Sequence, residues 1–203
     1  MGKVLQFTVK PPSKLGFEKV RSRKKGLGSR QTQLNLFHPG GQILKLPSTI
    51  TPFEEALLLD EQGDKRAYES YRNAISAGDS IADAYCNLGI LESQAGRTAK
   101  AFDCFTKSLE HDPRLTEAHY NLGNLYFDAG DLRLARMHYE VAAELDPEFP
   151  NIYFNIGLIH ALAEDYRSAI DAMTKYITLA PESESAQAGE LLRTLKRSLS
   201  TRR

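Results

Sequence analysis

Tyr85-Cys86-Asn87-Leu88-Gly89, His119-Tyr120-Asn121-Leu122-Gly123 and Tyr153-Phe154-Asn155-Ile156-Gly157 repeat one pattern at intervals of 34 residues. Pro113, Pro147 and Pro181 keep the same step. So do Ala101, Ala135 and Ala169, and the bulky apolar residues Phe105, Tyr139 and Met173. A fixed period of this length marks a stacked repeat, in which each unit buries its apolar face against the next.

Each unit reads as two amphipathic helices around a tight turn. The first helix is expected over 82–94, 117–128 and 151–162, and the second over 98–110, 132–144 and 166–179. Gly96 and Gly130 supply the left-handed residue just past a helix end. The third turn carries Glu164-Asp165 and lacks that glycine. Gly89 and Ala101 are small because the two helices approach closely there, and Leu88, Leu122 and Ile156 fill the core beside them. Asp112-Pro113, Asp146-Pro147 and Ala180-Pro181 end the second helix.

These motifs resemble the tetratricopeptide repeat (TPR) family, with three clear units over residues 82–183. A divergent unit precedes them. Thr51-Pro52-Phe53-Glu54 is a capping box with proline in the first turn. Ala67, Tyr71 and Ala74 then match the second-helix pattern, one residue short of the ruler and with no closing proline. Ala188, Leu191, Leu192, Leu195 and Leu199 form the apolar stripe of a capping helix over 184–200. The expected fold is therefore all-α: a right-handed TPR solenoid with a C-terminal capping helix. The expected domains are a basic, largely disordered tail (1–47), the solenoid (48–183), and the capping helix with a basic end (184–203).

The resemblance implies a concave groove lined by the first helices, which binds a partner segment. It places Asn87, Tyr120, Asn121, Asn124, Phe127, Phe154, Asn155 and Leu158 in that groove. An asparagine amide carries both an acceptor and donors, so the ladder Asn87, Asn121, Asn155 can pair with an extended backbone of any sequence. It can equally pair between neighbouring units. The aromatic and leucine side chains would supply apolar pockets, and Phe127 serves equally as packing between units. TPR grooves that grip acidic C-termini use Lys and Arg. None of the eighteen positions that the resemblance puts in this groove is basic, and Asp83, Glu117 and Asp128 are acidic. The expected ligand is a neutral or basic, partly apolar segment rather than an acidic tail.

Net charge is zero, but it is unevenly spread. Residues 1–47 hold ten Lys and Arg against one acid, Glu18; residues 48–203 hold sixteen against twenty-five acids. Residues 1–30 read as a disordered basic arm. Such an arm is solvated, contacts nucleic acid, or lies in the acidic groove until a partner displaces it. Residues 33–37 resemble the pentapeptide by which bacterial proteins dock on the sliding clamp. Gln33 would make amide hydrogen bonds there, and Leu34, Leu36 and Phe37 would fill an apolar pocket. The same stretch also reads as a β-hairpin over 34–46. A DNA-associated adaptor acting through the tail is thus the second functional class.

No catalytic constellation, phosphate loop or metal-ligand spacing is recognisable, so neither an enzyme nor a cofactor is expected. His119 and His160 replace tyrosine at packing positions. Cys86 and Cys104 make no disulfide framework. No apolar run suits a membrane helix and no signal segment is apparent, which points to the cytoplasm.

Overall fold

The computed structural model describes residues 14–21 and 50–201. Among these residues there are nine α-helices and no strand: α1 (Pro52–Glu61), α2 (Ala67–Ser76), α3 (Ile81–Gln94), α4 (Thr98–His111), α5 (Thr116–Asp128), α6 (Leu132–Leu145), α7 (Pro150–Leu162), α8 (Tyr166–Leu179) and α9 (Ala186–Thr201). The eight helices α1 to α8 pair as four units, and α9 packs on α8. The expected hairpin over 34–46 and the clamp motif Gln33, Leu34, Leu36 and Phe37 lie outside the described residues.

Helix boundaries follow local chemistry. Thr51 caps α1: its hydroxyl accepts from Glu54 N at 3.2 Å, and Glu54 Oε2 accepts from Thr51 N at 3.0 Å. Asp131 and Asp165 cap α6 and α8 by accepting from Leu134 N and Ser168 N. Gly63, Gly96 and Gly130 take positive φ at the turns within units. Glu164 adopts φ 60° at the same place in the fourth unit, a conformation that strains a residue with a Cβ. Between the first and second units, where later units have Asp-Pro, Gly78 and Ser80 turn the chain through positive φ instead.

The repeat registers interlock. A Cβ on Gly89 would lie 2.8 Å from the Phe105 ring, on Gly123 2.5 Å from the Tyr139 ring, and on Gly157 2.7 Å from the Met173 methyl. The bulky register of each second helix thus sits directly over the glycine register of its partner. Ala101, Ala135 and Ala169 are fully buried. Ala188, Leu191 and Leu195 seal the end of the last core cluster, with Leu192 and Leu199 partly buried beside them.

Gly123→Val would drive a branched side chain into the Tyr139 ring. Overpacking of this kind costs about 1–3 kcal/mol, so the thermal midpoint should fall by several degrees, as read by circular dichroism. An unchanged midpoint would remove Gly123 from the interhelical contact.

Candidate functional site

Asn87 on α3, Asn121 on α5 and Asn155 on α7 are all fully buried, and each holds the backbone of residues 14–21. Asn87 Oδ1 accepts from Val20 N at 2.8 Å while its Nδ2 donates to Val20 O at 2.9 Å. Asn121 does the same to Glu18, at 2.9 and 2.8 Å. Asn155 Oδ1 accepts from Leu15 N at 2.9 Å. Asn124 Nδ2 donates to Gly16 O at 2.9 Å, and Tyr120 Oη donates to Leu15 O at 3.3 Å. The segment runs opposite to the order of the units, with Leu15 at the last and Val20 at the first of the three.

The ladder also ties the units together. Asn155 Nδ2 lies 3.0 Å from Asn124 Oδ1, Asn124 Oδ1 accepts from Tyr139 Oη at 2.6 Å, and Asn87 Nδ2 lies 3.3 Å from Tyr71 Oη. Each of Asn87, Asn121 and Asn155 therefore faces both a neighbouring side chain and the backbone of residues 14–21. Among the described residues no buried side-chain nitrogen or oxygen lacks a partner.

Three apolar side chains of the segment enter the groove wall. Val20 is fully buried within a cluster containing Cys86, Ile90 and Phe105. Phe17 stacks on Phe105 with ring centroids 6.1 Å apart. Leu15 packs on the cluster that holds Phe154 and Leu158, with Phe127 also at its edge. Phe127 belongs to the margins of two clusters at once, so it packs between units while bordering the groove. Tyr120 is buried between the rings of Tyr139 and Phe149.

Charge is matched as well. Lys19 Nζ lies 2.7 Å from Asp60 Oδ1, and Lys14 Nζ lies 3.3 Å from Asp128 Oδ2. These lysines belong to the stretch read as a free basic arm. Residues 14–21 correct that expectation of disorder. Paired backbone groups, three apolar anchors and two ion pairs offset the entropy of ordering this short segment. Asp60 was missed in the sequence because it lies in the divergent unit. It stands three residues before the turn glycine Gly63, as Phe127 stands three before Gly130, and that register was its only signal.

The remaining polar residues have structural places. His119 Nδ1 and His138 Nδ1 lie 3.2 Å apart, and His119 Nε2 lies 3.1 Å from Pro113 O. Burial, aided by His119, pushes His138 down to about 4. Burial pushes the Cys104 thiol up to about 11. Among the described residues no cluster of His, Cys, Asp or Glu could hold a metal ion, and no helix is long and apolar enough to cross a membrane.

Tetratricopeptide repeat models match residues 82–115, 104–137 and 150–183, and a TPR repeat model matches 123–162. Together they span 82–183, half of the sequence. The chain is a tetratricopeptide repeat protein. No curated protein matches it. Solved structures with this TPR fold include the first TPR of Spaghetti (RPAP3) bound to the HSP90 peptide SRMEEVD. It is 21% identical, at a TM-score of 0.54, over 59% of this chain and 93% of that one. The Cut9-Hcn1 hetero-tetramer of APC/C aligns at 19% identity and a TM-score of 0.62, over 71% of this chain but 29% of that one. MamA aligns at 18% and 0.55, over 72% and 95%.

Glu18 gives the TPR groove a pH dependence. Burial raises its carboxyl above the usual range; Arg21 opposes this, Glu117 adds to it, the Asn151 amide opposes and Glu184 adds. A carboxyl whose pKa is raised in the docked state favours docking at low pH, and that contribution is lost as pH rises through the raised value. NMR titration of the Glu18 carboxyl carbon should give a midpoint above that of the same glutamate in the free peptide of residues 14–21. Equal midpoints would contradict the placement of Glu18.

Proposed function

We propose that the protein is a non-catalytic interaction scaffold that binds an extended segment of a partner protein in its concave TPR groove. The observation that carries this reading is the asparagine ladder, which pairs with the N–H and C=O of a backbone already lying in the groove. Asn87, Tyr120, Asn121, Asn124 and Asn155 hold the main chain; Phe154, Leu158 and Phe127 line the apolar part.

The ligand is neutral or basic. Asp60 and Asp128 both face lysines of the segment in the groove, and the eighteen groove positions named from the repeat include no Lys or Arg. The first TPR of RPAP3, similar in fold, is bound to the acidic HSP90 peptide SRMEEVD. A groove lacking basic residues offers such a peptide no counter-charge, and like charges placed together disfavour the wrong partner.

The side-chain amide signals of Asn87, Asn121 and Asn155 in the full chain provide the test. The peptide SRMKKVK, added in large excess, should shift them, and Asn121→Ala should weaken its binding at least tenfold. SRMEEVD should leave them in place. Tighter binding of SRMEEVD than of SRMKKVK would contradict the charge assignment. Binding that ignores Asn121→Ala would contradict the groove itself.

A further inference from the structure

Asp60 defines the chemistry of whatever lies in the groove. Its carboxylate is almost fully buried, accepts from Tyr71 Oη at 3.0 Å, and pairs with Lys19 Nζ at 2.7 Å. Without residues 14–21, Asp60 keeps the phenol hydrogen bond but loses the Lys19 charge. A buried carboxylate deprived of its cation is strongly unfavourable, so a segment replacing 14–21 must bring a cation to the same point. Val20, the next residue, fills a closed apolar site beside Cys86 and Ile90, and Phe17 covers the Phe105 ring. Between them, Glu18 is read through its backbone by Asn121.

We propose, on the reading that the groove binds a partner segment, that residues 14–21 are a built-in competitor for that segment. The partner then carries the same extended pattern: an aromatic residue, any residue, Lys or Arg, then Val or Ile. Asp60 is the specificity residue for the cation. The competitor is attached to α1 through residues 22–49. Covalent attachment within one chain gives an effective concentration on the order of millimolar. A partner must outbind the segment by that margin, or act where the segment is weakened.

The test uses the full chain and a fluorescent peptide with the sequence of residues 14–21. Val20→Asp puts a charge into the closed apolar site and should release the attached segment. Peptide binding should then be at least tenfold tighter than to the wild type, with Val20→Ala as a milder variant showing the same direction. In the Val20→Asp background, Asp60→Asn should weaken this peptide at least tenfold. It should leave unchanged a peptide in which the lysine corresponding to Lys19 is replaced by Gln. Equal binding to wild type, Val20→Ala and Val20→Asp would overturn the competitor. An effect of Asp60→Asn that is equal for both peptides would overturn the cation site. If all three chains bind the peptide alike and Asn121→Ala abolishes binding, the groove reading survives while the competitor does not. A segment exchanged between two copies would appear as a dimer by light scattering that Val20→Asp converts to monomer, and that outcome too overturns an intramolecular competitor.

Discussion

The two-point hydrogen bond between an asparagine amide and one residue of extended backbone is the interaction on which the groove depends. A side-chain amide has a donor and an acceptor side by side, the same complement that a strand presents to its neighbour. Asn87 and Asn121 use both on a single residue each, Val20 and Glu18. Nothing in this pairing depends on the side chain of the residue held, so these amides grip the main chain alone. The amides are fully buried, and an unpaired buried amide costs about 1–3 kcal/mol. An empty groove would have to rehydrate them, which favours keeping an occupant.

The ladder is accurate only because the repeat is rigid. In each of the three regular units the asparagine stands two residues before the glycine on which the second helix closes. The contact of Gly89 with Phe105, Gly123 with Tyr139 and Gly157 with Met173 therefore fixes the helix that carries the amide. Tyr71 and Tyr139, also on second helices, then reach the groove from behind, with hydroxyls against Asn87 and Asn124. Packing register and binding register are thus one feature of the sequence, displaced by two residues.

Much of this was legible beforehand. The 34-residue step placed the helices of the three regular units to within about one residue, and it identified the three asparagines. Glu164 shows where local rules stop: the turn keeps its left-handed residue without glycine because the flanking helices dictate the path. The place of the basic arm was open to three readings. The segment 14–21 has no sustained alternation, and its order comes from long-range partners more than 40 residues away. Asp60 was hidden for a related reason: its unit is one residue short of the ruler, so the groove register was not carried onto it. Its role emerges only when Lys19 and Tyr71 are brought to it in space.

Hydrogen exchange along the bound segment measures the ladder itself. Leu15, Glu18 and Val20 donate their N–H groups to Asn155, Asn121 and Asn87, whereas Phe17 and Lys19 lie between these rungs. The ladder predicts that the amides of Leu15, Glu18 and Val20 exchange at least tenfold more slowly than those of Phe17 and Lys19. Uniformly fast exchange across residues 15–20, at the rate of the free peptide, would contradict it.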